Sequence, residues 1–365
     1  MYKYYMKRHT FLDLGRPICA AAVNGVMREL RRLRYAGFTL LFVGFLFLLG
    51  YGVLDQPLFE LKLMKLTNNA EQRHSPIIFV GGVSRSGTTL MRVLLDVHPW
   101  IRCGPEGMVI KPVLDFRHSM PRFHINWSRQ AGIYPNLLDS AISKYIRYIV
   151  EEMGPPANIL CYKRPEVLLY TEYLATLFPD SKFIIMLRDG RAVAVSNKRF
   201  KRNTTEKLHK VLNRWMLENI NLTRACQSVG PKRCLIVRYE LLILNPEREL
   251  RLVTNFLDIP WDPVMLHHEE FLKNRPSINP YEPSTSQVKE KINNEALARW
   301  FKDTDNDTKV FIREAPERCF LLKAFGFLNI GEPPDYSKLP RNLPDVSGFK
   351  PPKEPKVPKS LGKRP

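Results

Sequence analysis

The sequence predicts an α/β protein, a parallel sheet flanked by helices, with a transmembrane helix ahead of it. Three observations lead there. Apolar runs alternate with helical patterns between residues 76 and 330, a glycine-rich turn joins the first run to a helix, and a long uncharged stretch precedes both. The runs 77–80, 159–162, 183–187 and 235–237 read as buried strands. Helical periodicity covers 137–153, 167–177, 205–228 and 246–257. Alternation of this kind makes the strands parallel and places helices on both faces. About 255 residues are enough for one domain with a sizeable core.

The first strand and its turn carry the chemistry. After the run 77–80 come Gly81, Gly82 and then Arg85-Ser86-Gly87-Thr88-Thr89, before an amphipathic helical segment at 90–97. A strand, a glycine turn and a helix start form an anion cradle, because backbone N–H groups and the helix dipole both favour negative charge. Gly82-x-x-x-x-Gly87-Thr88-Thr89 has the spacing of a nucleotide phosphate loop, but Thr88 stands where the phosphate-binding lysine belongs. A triphosphate enzyme needs that lysine and a magnesium ion. A 5′-phosphosulfate carries less charge and needs neither. The P-loop-like segment therefore points to a 5′-phosphosulfate donor rather than ATP. A plain glycine turn is the competing reading; the arginine inside the turn and the paired threonines weigh against it.

Residues 35–54 contain no charge and one threonine, a length that spans a bilayer core. Arg28, Arg31, Arg32 and Arg34 precede the stretch and Asp55 follows it, so residues 1–34 form a cytoplasmic tail. A cleaved signal peptide would have a shorter apolar core, a shorter leader and a small-residue cleavage site. The expected layout is a type II anchor at 35–54, a stem at 55–75, a lumenal body at 76–330 and a disordered tail at 331–365. Nine prolines and scattered lysines in that tail argue against a packed element.

Cys226 and Cys234 lie eight apart, at a helix end and a strand start, and suit a local bridge. Cys103 and Cys161 each stand near the end of an early strand and suit a bridge across the sheet. Cys19 falls in the cytoplasmic tail and Cys319 is left over. No Cys-x-x-Cys or paired histidine spacing supports a metal, and the adjacent His267 and His268 face different ways on a helix. Glycosylation sequons at Asn126, Asn203, Asn221 and Asn306 all fall beyond the anchor, in agreement with a lumen. The net charge of +20 is spread out: +6 lies in residues 1–36 and +4 in 331–365. No basic stripe or nucleic-acid motif collects the remainder, so nucleic acid is not the expected partner. A basic body attracts acidic substrates.

The ordered set Arg85-Ser-Gly-Thr-Thr-Leu-Met91, Arg102-Cys-Gly-Pro-Glu106, Cys161-Tyr-Lys163, Leu187-Arg-Asp-Gly-Arg-Ala192, Tyr239-Glu240, His267-His-Glu269 and Glu282-Pro-Ser-Thr-Ser-Gln-Val288 resembles the tyrosylprotein sulfotransferases. The resemblance covers nearly the whole body, as well as the short cytoplasmic tail and anchor. It implies a sulfotransferase-type fold, a Golgi membrane location, a homodimer, and 3′-phosphoadenosine 5′-phosphosulfate as donor. The implied acceptors are tyrosines in acidic peptide segments of secretory proteins. Glu106 is the implied general base, suited to a phenol whose pKa is near ~10. Lys163, Arg85 and the hydroxyl of Ser284 are implied stabilisers of the leaving oxygen. Arg188 and Ser196 resemble the 3′-phosphate ligands. Ser86, Gly87, Thr88, Thr89, Tyr239, Thr285, Gln287, Val288, Asn293 and Arg299 complete the implied donor site.

Departures from the family pattern leave the donor site looking intact, although Arg299 stands where a lysine usually meets the nucleotide, and alter the acceptor side. Met108 stands where the resemblance implies an acceptor-binding arginine, and Arg164 replaces an aspartate. Ser84 stands where the family usually has proline. Two other readings remain beside the tyrosine enzyme: a carbohydrate sulfotransferase of the same fold, and a non-catalytic donor-binding relative.

Overall fold

The computed structural model describes residues 75–197, 204–272, 279, 281–282, 287–302 and 304–344. The expected anchor 35–54, the stem up to His74, Cys19, Asn203, Ser284 and Thr285 lie outside the described residues. Among those described, no helix is long and apolar enough to cross a membrane.

The body opens with β1 (Ile77–Gly82), α1 (Thr88–Asp96), β2 (Ile101–Cys103), α2 (Ile110–Ser119), α3 (Arg122–Gln130) and α4 (Asn136–Glu152). It continues through β3 (Ile159–Lys163), α5 (Thr171–Leu177), β4 (Lys182–Leu187), α6 (Gly190–Ser196), the long α7 (Thr205–Val229) and β5 (Cys234–Arg238). Then come α8 (Tyr239–Leu244), α9 (Pro246–Leu257), α10 (His268–Leu272), α11 (Glu295–Ala298), α12 (Asn306–Arg318) and α13 (Phe320–Ala324). The four expected strands and the helices expected at 90–97, 137–153, 205–228 and 246–257 are present, each within a few residues of its predicted span. The segment expected as one helix over 167–177 instead splits into a 3-10 helix, Pro165–Tyr170, and α5.

The five strands are all parallel, in the order β2-β3-β1-β4-β5. Their near-continuous apolar runs follow from burial on both faces. Phe79 and Phe183 stack 5.7 Å apart between β1 and β4, both fully buried. Parallel order sends every strand's C-terminal end to one edge, and the chain reverses its direction of travel at β1. A crevice at such a switch point is where α/β sheets bind ligands.

Cys103 and Cys161 are register partners on β2 and β3 and form a disulfide. Cys226, in the last turn of α7, bridges to Cys234 at the start of β5. Cys319 is a buried free thiol.

Packing continues past the expected end of the body at Ile330. Tyr336 and Leu339 are buried at 3% and 5% exposure, so residues 331–344 lie against the domain rather than forming a tail without packed elements. Proline there shapes a turn: the Asp335 N–H donates to the Ile330 carbonyl at 2.7 Å, ahead of a 3-10 helix at Tyr336–Lys338. Residues 345–365 lie outside the described residues.

Candidate active site

Each strand end brings one piece. The turn after β1 carries Arg85 to Thr89. Val80 registers against Lys163, which places the lysine at the end of β3 beside the turn. Arg188 follows β4, Tyr239 follows β5, and Glu106 follows β2. Residues far apart in sequence thus meet because their strands are hydrogen-bonded neighbours.

A cavity of about 340 Å³ opens at this edge, lined among others by Arg85, Thr89, Arg188, Ser196, Tyr239 and Arg299. Gly87, Val288 and Asn293 also line it. The Arg188 Nη1–H donates to the Arg85 carbonyl at 3.0 Å, and its guanidinium lies 4.4 Å over the Tyr239 ring. Arg85 donates from Nε to Ser196 Oγ at 3.1 Å. Burial, and then the charge of Arg188, press the Arg85 guanidinium below its usual pKa. Two cations facing one cavity are what a bound anion would relieve.

The turn itself fits an anionic group. Gly87 has φ +92°, and a Cβ there would lie 2.4 Å from the Tyr239 ring. Only glycine lets the backbone approach this closely. Ser86 is 1% exposed and its Oγ has no hydrogen-bond partner among the described residues, leaving a donor inside the cradle. Thr88 and Thr89 are buried in the first turn of α1, whose leading N–H groups have no partner within the helix.

Other elements hold Arg188 in place. Trp215 of α7, fully buried, donates its indole N–H to the Arg188 carbonyl at 3.0 Å. Asp189 caps α6 and pairs with Arg191 at 2.8 Å, not with Arg188. The guanidinium of Arg188 is thereby left to the cavity.

Thr89 links the cavity to the second half of the site. The Lys163 Nζ, 1% exposed, lies 3.3 Å from Thr89 Oγ1, ion-pairs with Glu106 Oε2, and ion-pairs with Glu282 Oε2 at 3.1 Å. Glu282 also accepts the Glu106 backbone N–H at 2.8 Å and the Thr89 hydroxyl at 3.4 Å. Burial opposes ionisation of Glu282, but Lys163 and Arg92 prevail and hold its carboxyl below the usual range. Glu282 was not among the expected site residues; its signal was its place at the head of the Pro-Ser-Thr segment. Trp300, beside Arg299, was also missed and lines the cavity.

On the acceptor side, Arg164 Nη1 lies 3.3 Å from Glu106 Oε1 and also contacts the Met108 sulfur, while Nη2 lies 3.1 Å from Glu166. Met108 itself is 65% exposed. The side chain of Gln287 is not described. His267 is exposed and His268 fully buried, so the pair does face different ways. Among the described residues, His267, Glu269 and Glu270 form one surface group of possible metal ligands, with ligand atoms within 4.8 Å of one another. Exposed acidic groups of this kind are common without an ion.

Known proteins resemble this chain. The profile of the Sulfotransferase family matches residues 76–263. The chain is 37% identical over 280 residues to Protein-tyrosine sulfotransferase A of Caenorhabditis elegans, covering 74% of this chain and 72% of that protein. It is 36% identical over 297 residues to Protein-tyrosine sulfotransferase 2 of Gallus gallus, covering 78% of each. With Protein-tyrosine sulfotransferase 1 of Homo sapiens the figure is 37% over 279 residues and 74% of each chain. Similarity of this extent, with the family profile spanning the loop, the Glu106–Lys163 pair and Arg188, makes the chain a member of the protein-tyrosine sulfotransferase family of transferases.

Proposed function

We propose that this protein moves a sulfonate group from 3′-phosphoadenosine 5′-phosphosulfate to tyrosines in acidic segments of secretory proteins, in the Golgi lumen. The observation that carries this reading is the Glu106–Lys163 pair, joined through Thr89 to a cavity whose cations suit a bisphosphate. In the cavity, Arg188 and Ser196 would hold the 3′-phosphate and the turn Arg85–Thr89 the 5′-phosphosulfate.

Glu106 takes the phenolic proton as the tyrosine oxygen bonds to sulfur. Lys163 and Arg85 stabilise the charge that gathers on the bridging oxygen as its bond to sulfur breaks. Lys163 can turn from Glu106 to that oxygen without losing every partner, because Glu282 and Thr89 also hold it. That turn frees the Glu106 oxygen that must accept the proton.

Arg164 supports an altered acceptor preference. It brings a cation against Met108, at the position where the resemblance implies an arginine. Localisation is read from the uncharged stretch 35–54 and the sequons, of which Asn126, Asn221 and Asn306 are exposed. A homodimer would find apolar surface on α3, which buries none of its residues and presents Phe123 and Trp127 at 66% and 69% exposure.

The decisive test is Glu106→Gln, assayed with labelled donor and an acidic tyrosine peptide. Transfer should fall by ~10²–10⁴ while binding of adenosine 3′,5′-bisphosphate stays unchanged. Near-normal transfer by this variant would mean that another group is the base.

A further inference from the structure

We propose that the C-terminal segment after Ile330 is a working part of the donor site, with Tyr336 as a positioning residue that ties together three walls of the cavity. The inference rests on the donor reading above and extends it to a residue that does not itself line the cavity.

Tyr336 is buried, and its hydroxyl donates to Asp189 Oδ2 at 3.1 Å and accepts the Trp300 indole N–H at 2.9 Å. Asp189 is fully buried, and its own N–H donates to Glu240 Oε1 at 2.8 Å. All three groups gathered at this point are chain neighbours of cavity residues. Asp189 follows Arg188, Glu240 follows Tyr239, and Trp300 follows Arg299 and lines the cavity itself. The turn that carries Tyr336 also packs against α8, the helix bearing Tyr239 and Ile243 on the cavity wall.

A buried hydroxyl is costly unless paired, and here both its donor and its acceptor roles are used. Burial, and then the Asp189 carboxylate, raise its pKa well above that of an ordinary phenol, so it keeps the proton it donates. Trp300 is fixed from two directions: Tyr336 holds its edge, and the Arg191 guanidinium lies 5.3 Å over its ring. Arg191 is fixed in turn by Asp189 and by the Phe327 carbonyl at 2.6 Å. The segment is anchored at its other end by Leu339 and by Pro340, which lies so close to Gly326 that a Cβ there would approach it to 2.6 Å. Removing the Tyr336 hydroxyl therefore unpairs the buried Trp300 N–H and one donor to Asp189, and loosens the spacing of Arg188, Tyr239 and Arg299 together.

The test uses the full-length protein and three variants: Tyr336→Phe, Trp300→Phe and both together. Isothermal titration with adenosine 3′,5′-bisphosphate should show affinity weakened about tenfold by Tyr336→Phe, the scale of a lost hydrogen bond to a charged group. In the transfer assay the KM for donor should rise by the same factor, and the KM for acceptor peptide should stay put. The double variant should be weaker than either single but by less than the product of their effects, since both break the Tyr336–Trp300 bond while each also loses a contact of its own. A lower melting temperature with donor affinity unchanged would overturn the proposal, because that is what a merely structural tyrosine does. Full additivity of the two single effects would overturn it as well. A wild-type protein that does not bind the bisphosphate at all would sink the donor reading, and this inference with it.

Discussion

Glu106 and Lys163 touch each other yet have different work, and chemistry can separate them. Lys163→Ala should be about as damaging as Glu106→Gln, through lost stabilisation of the leaving oxygen. A phenol of low pKa should partly restore transfer by Glu106→Gln and do little for Lys163→Ala; equal rescue of both would contradict the assigned roles. Met108→Arg should raise turnover on acidic peptides more at low salt than at high, without changing donor affinity. The Arg164 guanidinium already lies against Met108, so the added charge also meets a like charge. Unchanged turnover at both salt concentrations would mean that position 108 has no part in acceptor binding. The family resemblance, more than residue type alone, made Glu106, Lys163 and Arg188 legible as candidates. Glu282 was not, because a carboxylate in a loop looks solvated until its burial and its contact with Lys163 are seen.

At the scale of elements, the turn between β1 and α1 depends on Gly87. Gly87→Ala places a methyl group against the Tyr239 ring in a left-handed backbone region, at a cost of about 1–2 kcal/mol from conformation alone. Bisphosphate affinity should fall at least tenfold with a modest drop in melting temperature, and titration beside a thermal melt checks both. The strands were legible because continuous apolar runs bounded by turns have few other homes. β2 has three residues, too few for a periodic signal, and is held by its register with β3. α3 buries nothing and so offers no core-facing stripe to read. α8 follows β5 directly and α6 follows β4 after two residues, and they are six and seven residues long, too short for a periodic signal.

At the scale of the molecule, two predictions concern stability and placement. Burial lifts the Glu240 carboxyl to about 7, from a usual 4.5. Between those values folded Glu240 holds a proton that the unfolded chain has released, so the contribution of this group to stability falls as pH rises and levels off above about 7. Glu240→Gln keeps an acceptor for the Asp189 N–H and should flatten that part of the curve; melting temperatures of both proteins from pH 5 to 8 test it. Protease treatment of sealed Golgi vesicles should spare residues 76–330 until detergent is added. Digestion without detergent would place the body on the cytosolic side.

The strand–turn–helix units, the anion-binding character of the first turn and the residue types at the strand ends can all be read along the chain. These are local properties, set by apolar periodicity, glycine conformation and side-chain chemistry. Which ends become neighbours depends on strand pairing across the sheet. The order β2-β3-β1-β4-β5 is not the chain order, and it places Lys163 beside the first turn and Glu106 against Glu282, 176 positions away. The fold likewise keeps the chain past Ile330 packed, because the Tyr336 hydroxyl finds Asp189 and Trp300 in a gap that no local pattern describes.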